Sequence, residues 1–150
     1  PYKPPKKERP HHDHVAGVIK LDDKFLIIQR PLDGLLGGLW EFPGGRRRES
    51  ESLTEGVTRT ILESTGLTVK TDLVLPTVLH VFTHFKITLY GFGCTFIKGA
   101  AKALTCHDAR WVSQTQLADF AFSRAHNRLI DIMKKEAAKG QVEMFASAAK

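Results

Sequence analysis

Residues 45–67 read GRRRESESLTEGVTRTILESTGL, and the spacing within this stretch decides the fold. Ser52 with Glu55 three positions later forms a capping box, in which each side chain satisfies the other residue's backbone N–H. Leu53, Val57 and Ile61 recur every four residues and lay an apolar stripe along one side of a helix. Gly66 follows at the position where a helix commonly turns left-handed and stops. The expectation is a helix over 52–65. Its polar residues are unusual: Thr60, Glu63 and Ser64 share a face at i, i+3 and i+4 spacing, and only one of them carries charge.

Working outward, HVAGVIK (14–20) and KFLIIQR (24–30) predict two strands joined by a turn at Asp22–Asp23. PLDGLLGGLWEFPGG (31–45) is punctuated by Gly and Pro and reads as loop. Leu35, Leu36, Leu39, Trp40 and Phe42 are too many apolar residues for a solvated loop; most are expected on the sheet, with one or two left for a partner. TVLHVFTH (77–84) and FKITLYGFGCTFI (85–97) are β-rich, the second with a bulge expected at Gly91 or Gly93. ARWVS (109–113) is a short strand. A second helix is expected over 123–139, capped by Ser123, stopped by Gly140, with Leu129, Ile130, Ile132 and Met133 as core. Residues 1–13 are rich in Pro, Lys and His and read as a linker, 14–139 as the folded domain, and 140–150 as a fraying tail. This order lacks regular βαβ alternation, so a mixed sheet between helices, an α+β arrangement, fits best.

The totals narrow the function. At 150 residues, 42% hydrophobic and 25% charged, the chain is the size and composition of one soluble domain. No apolar run approaches the ~18 residues that span a bilayer, and no signal peptide is visible, so a cytoplasmic protein without a membrane partner is expected. The chain starts at Pro1, which suggests a piece of a longer protein. A net charge of +6 favours polyanions, nucleic acid above all. The two cysteines, Cys94 and Cys106, match neither a CxxC nor a zinc pattern and are too few for an ordinary iron–sulfur cluster. His11, His12 and His14, with Asp13, could ligate a metal, though an exposed connector is the simpler reading.

Gly45, Glu51, Arg59, Ile61, Glu63, Gly66 and Leu67 stand at the offsets of the Nudix box, G-x5-E-x7-R-E-U-x-E-E-x-G-U, where U is aliphatic. The chain resembles that family, which implies the Nudix fold, a mixed sheet sandwiched between helices. Thr60 and Ser64 depart, each where the family carries Glu. Magnesium is a hard cation bound between carboxylates and substrate phosphates, and a Nudix hydrolase gathers acids on this helix for that purpose. A lone Glu63 is a poor magnesium ligand and suits an ion pair with Arg59 better, so no catalytic residue and no metal are assigned, Glu63 being the one weak candidate.

Three further stretches are similar to the C-terminal domain of MutY-type adenine DNA glycosylases: QRPLDGLLGGLWEFPGG (29–45), LHVFTHFKITLYGFGC (79–94) and ARWVSQTQLADFAFSRAHNRLI (109–130). That resemblance implies a DNA-repair role: helping a bacterial, cytoplasmic glycosylase find 8-oxoguanine opposite adenine in double-stranded DNA. Phe82, Thr83 and His84 match the family's Phe-Ser-His lesion-recognition loop. Oxidation gives guanine an oxygen at C8 and turns N7 into a donor. A hydroxyl at position 83 can pair with either group, which is worth on the order of 1–3 kcal/mol of discrimination. The glycosylase reaction and its iron–sulfur cluster would belong to an N-terminal catalytic domain, the expected partner in the same protein, with no cofactor in this fragment. Arg46, Arg47 and Arg48, with Lys3, Lys6 and Lys7, become candidate DNA-backbone contacts. Two alternatives stand beside this. One is a stand-alone Nudix hydrolase of oxidised nucleoside di- or triphosphates, using magnesium, with Glu41, Glu49 or Glu55 in place of the missing acids. The other is an interaction module using the apolar loop at 35–42.

Overall fold

The protein was analysed as a computed structural model, which describes residues 9–140 and 144–146. The strands are β1 (His11–Leu21), β2 (Lys24–Gln29), β3 (Trp40–Glu41), β4 (Gly44–Arg46), β5 (Thr68–Val74), β6 (Val78–Val81), β7 (Lys86–Lys98) and β8 (Asp108–Ser113). The helices are α1 (Leu53–Thr65) and α2 (Arg124–Ala138), with a 3-10 turn at Thr115–Asp119. All eight strands join one mixed sheet with the central order β3-β2-β1-β7-β5. β4 pairs with β1, β6 with β7 and β8 with β2. The long strands β1 and β7 run parallel, from His11 opposite Lys86 to Ile19 opposite Cys94. A parallel pair needs a crossover, and the chain supplies it through α1.

Side chains alternate across a strand, so β1 feeds two cores. Val15 and Ile19 pack with Val57 and Ile61 of α1, together with Leu26, Val69 and Phe92. Ala16 and Val18 face the other way, into a cluster with Leu129, Ile130 and Met133 of α2, and with Phe25, Phe42 and Leu89. The sheet therefore lies between two helices, as the element order predicts. Each fully buried aliphatic residue of this kind contributes roughly 1.5–3 kcal/mol.

The capping box forms as expected: Glu55 N donates to Ser52 Oγ at 3.1 Å and Ser52 N to Glu55 Oε1 at 2.9 Å. Gly66 takes φ 80° and its N–H closes on the Leu62 carbonyl. Asp22 and Asp23 both have positive φ, as a two-residue hairpin turn between right-twisted strands requires.

Several expectations change. β1 begins at His11, so residues 11–13 belong to the sheet and not to a linker. Residues 31–45 contain β3 and most of β4. Gly44 passes so close to β1 that a Cβ there would sit 1.9 Å from the Val15 carbonyl oxygen. β5 was not legible because its outer residues Lys70, Leu73 and Val74 are exposed and mask the alternation. The β5–β7 pairing is irregular at two places, with Asp72 on β5 extra opposite the Gly93–Cys94 step and Ile97 on β7 extra opposite the Thr68–Val69 step, and neither extra residue is a glycine. Ser123 occupies the N-cap of α2 with an extended backbone, but its side chain makes no capping hydrogen bond. Ile132 is only half-buried. In the C-terminal stretch Phe145 is buried edge-on against Phe25, ring centroids 5.2 Å apart, and Gln114 exchanges two hydrogen bonds with the Ala146 backbone. The part of the tail that is described is thus docked on the core. No described helix is long and apolar enough to cross a membrane.

Candidate functional site

The helix α1 positions the first group of residues. Arg59 grips Glu51 with two prongs, Nε to Oε2 at 2.8 Å and Nη2 to Oε1 at 2.6 Å. The same guanidinium donates to Glu63 Oε1 at 2.6 Å and to the Arg46 carbonyl at 3.1 Å. Glu51 also accepts from the Arg48 backbone N–H at 2.9 Å. Arg59 and that N–H hold the Glu51 carboxyl down to about 2. The network ties the loop after β4 to the helix.

Thr60 and Ser64 are buried, 7% and 6% exposed, and each hydroxyl turns back onto its own helix. Thr60 Oγ1 donates to the Gly56 carbonyl at 2.8 Å and Ser64 Oγ to the Thr60 carbonyl at 2.7 Å. Gly45 covers Thr60 so closely that a Cβ on it would lie 3.2 Å from Thr60 Cγ2. Magnesium requires an octahedron of oxygens with carboxylates among them. Two neutral hydroxyls bonded inward and one carboxylate held by Arg59 do not fit such a site. The proposed substitute acids do not converge either. Glu55 serves the capping box, Glu41 lies beneath α2 with Ile87 and Leu89, and Glu49 is exposed beside Arg48. Among the described residues, no three His, Cys, Asp or Glu side chains gather into a ligand set, His11, His12 and His14 included. His11 Nε2 instead lies 2.5 Å from Thr88 Oγ1.

The second group is the turn between β6 and β7. Phe82 and Phe85 stack at 4.4 Å between centroids, His80 meets Phe82 edge-on, and Phe82 N–H donates to the Phe85 carbonyl at 2.8 Å. Both Phe rings pack against the core beneath α2. Thr83 and His84 are exposed at the tip, and Arg9 Nε donates to the Thr83 carbonyl at 2.9 Å. Phe82 is thus an anchor, whereas Thr83 and His84 are free to touch a ligand.

The three arginines of the run differ in their contacts. Arg46 lines a groove with His12, His14, His84 and Phe85, and so shares a surface with the tip. Arg47 is engaged by Asp13 at 2.7 Å and by the Glu51 carbonyl at 3.0 Å. Arg48 lies with Glu49 and Arg59 in a second depression, which Arg46 and Arg47 also line. Lys3, Lys6 and Lys7 fall outside the described residues.

A third group was not legible in the sequence. Beneath the tip, a cavity of about 30 Å³ is lined by His14, Arg30, Glu41 and His126 among apolar neighbours. Arg30 Nη1 contacts Glu41 Oε1 at 3.2 Å, and His126 Nε2 lies 3.7 Å from Glu41 Oε2. Phe42 N–H donates to His126 Nδ1 at 3.1 Å, which leaves the ring proton on Nε2, toward Glu41. Burial, then His14 and Arg30, push His126 down to about 3. Burial and Arg30 push His14 down to about 4. Burial raises Glu41, and Arg30 opposes it only in part. Both imidazoles are neutral at pH 7, so the cavity presents hydrogen-bonding groups rather than histidine charge. The available signal was His126, a polar residue on an otherwise apolar helix face.

A family model described as NUDIX domain matches residues 14–131. An 8-oxo-dGTP diphosphatase of Proteus vulgaris is 37% identical over 81 residues, 53% of this chain and 72% of that protein. The adenine DNA glycosylase of Homo sapiens is 31% identical over 133 residues, 87% of this chain; the chain spans only 24% of that protein's length. An 8-oxo-dGTP diphosphatase of Buchnera aphidicola is 28% identical, with 81% of this chain and 92% of that protein covered. Among solved structures, the MutT protein from Methanosarcina mazei superposes with a TM-score of 0.76 at 25% identity, covering 84% of this chain and 94% of that one. The E. coli ORF135 protein matches the fold with a TM-score of 0.78 at 23% identity, covering 90% and 96%.

Proposed function

The chain belongs to the NUDIX domain family, and we propose that it uses that fold to recognise 8-oxoguanine opposite adenine in duplex DNA, as the lesion-reading domain of an adenine DNA glycosylase. The observation that carries this reading is the state of α1. Two positions where the family carries Glu hold Thr60 and Ser64, buried and bonded to their own helix, and Glu63 faces Arg59. A helix in that state supports the fold but lacks the acids that clamp a pyrophosphate. The exposed Thr83 hydroxyl on an aromatic-anchored turn suits a group that meets an oxidised base. Arg46, on the same surface as His84, is the member of the arginine run best placed to meet a phosphate. The catalytic domain, with its cluster, would be a separate part of the whole protein.

A second reading, hydrolysis of oxidised nucleoside di- or triphosphates with magnesium, is favoured by a different observation. The chain spans 72% and 92% of two 8-oxo-dGTP diphosphatases, against 24% of the human glycosylase. Both readings share oxidised guanine and differ in whether a bond is broken. The purified chain is to be incubated with 8-oxo-dGTP and magnesium, and separately titrated with duplexes containing 8-oxoguanine or guanine opposite adenine. The proposal expects no phosphate or pyrophosphate release and tighter binding of the oxidised duplex. Turnover without duplex preference would establish the second reading instead.

A further inference from the structure

On the side of the turn away from Arg46, an open groove of about 540 Å³ runs between the Phe82–Thr83 edge and the start of α2, lined by Leu36, His80, Phe82, Thr83, Arg124 and Asn127. Arg124 and Arg128 are four apart on α2, so their guanidiniums share one face. Arg128 Nη1 donates to the Leu79 carbonyl, which fastens α2 to β6, and its other N–H groups have no partner among the described residues. No carboxylate lies within ion-pair distance of either guanidinium among the described residues. The first turn of α2 carries no acid, and the positive end of the helix dipole adds to the same field. Arg124 lines the groove itself, and His80, which also lines it, is held below its ordinary value by burial first and then by the nearby Arg128 and Arg124.

We propose that this groove seats the DNA backbone, with Arg124 contacting a phosphate beside the base that Thr83 meets and Arg128 reinforcing it. The inference rests on the DNA-recognition reading above and adds a contact on the opposite flank of the tip. Arg46 stands on the His84 side and Arg124 on the Thr83 side, so a strand crossing the turn meets a cation before and after it. Asn127 donates to the Phe122 carbonyl and shapes the floor of the groove.

The test is a salt titration of duplex binding by the whole chain and by Arg124→Gln. Among the described residues the Arg124 side chain makes no hydrogen bond, and an unchanged melting temperature checks that it does not hold the fold. Losing one phosphate contact should flatten the slope of log K against log salt by about 0.9. Oxidised and normal duplexes should weaken by the same factor, leaving the lesion preference intact. An unchanged slope in Arg124→Gln, with the parent chain still preferring the oxidised duplex, would overturn the groove and leave the recognition reading standing. A parent chain that binds neither duplex would end both. Weakened binding of free 8-oxo-dGMP with unaltered duplex binding would mean that the groove serves a nucleotide, and would also overturn the proposal.

Discussion

Thr60 lies directly beneath Gly45: the threonine methyl fills the space that a side chain on the glycine would need, and its hydroxyl points into its own helix toward the Gly56 carbonyl. The turn that in a hydrolase of this family borders a metal-bearing helix here closes over a neutral, buried residue. This contact joins the fold to the proposed function, because a carboxylate at position 60 would have to displace the turn or lose its solvation.

The double substitution Thr60→Glu with Ser64→Glu should therefore destabilise the protein, by on the order of 2–3 kcal/mol. Magnesium should recover part of that loss in the variant, since three acids then share the face, and should leave the parent melting temperature unchanged. Differential scanning fluorimetry with and without magnesium reads both. A parent protein stabilised by magnesium would contradict the assignment of α1 as a non-catalytic helix.

Thr83→Ala should leave stability alone, because the residue is exposed, and should reduce the preference for oxidised over normal duplex. The reduction expected for one lost base contact is about 1–3 kcal/mol, and Thr83→Ser should retain most of the preference. Fluorescence anisotropy with matched duplexes measures it. Equal preference in parent and Thr83→Ala would remove the residue from the recognition surface.

Acid should weaken the fold through the buried imidazoles. His126 falls to about 3 and His14 to about 4 in the folded chain, against 6.5 when unfolded. Between those values the unfolded chain binds more protons, so their contribution is present above 6.5 and declines as pH falls toward 3. Glu41, whose carboxyl is raised above 4.5, acts in the opposite sense as pH rises from that value. Urea midpoints at several pH values should show the decline. His126→Asn, which keeps an acceptor for the Phe42 N–H, should flatten it. His126→Phe should cost about 1–3 kcal/mol at neutral pH by leaving that N–H buried and unpaired.

Glu51 adds a second acid-sensitive contact at lower pH. Its carboxyl is depressed to about 2 by Arg59, so the stability it confers is full above the ordinary value of 4.5 and disappears as pH falls through 2. Glu51→Gln should remove this limb of the curve, and Arg59→Ala should do the same while also releasing Glu63.

Phe145→Ala should cost about 3–5 kcal/mol if the residue is core, as its burial against Phe25 indicates. A stability loss under 1 kcal/mol would return the 144–146 stretch to a frayed tail.

Much of this was legible from local spacing. The capping box, the apolar stripe and the Gly66 stop all depend on residues within four positions of one another, and helix geometry fixes what such neighbours do. The ion pair of Arg59 with Glu63 follows from the same rule, and the missing acids are plain in the letters themselves. β5 was less visible because an edge strand exposes too many residues to keep a clean alternation, and the docking of Phe145 on Phe25 joins residues far apart in the chain.

By itself the sequence determined the two helices, the long strands, the fold class and the poverty of α1 in carboxylates, since each is set by short-range periodicity or by residue identity. Only the tertiary structure decided that Arg46 faces the tip while Arg47 is engaged by Asp13, and that Phe42 and His126 meet across the interior beside Arg30 and Glu41. Such contacts depend on how β1, the loop at 31–39 and α2 pack on the two faces of one sheet. No local pattern encodes that, because the apolar burial driving the packing is non-directional and the polar groups are carried to their partners by it.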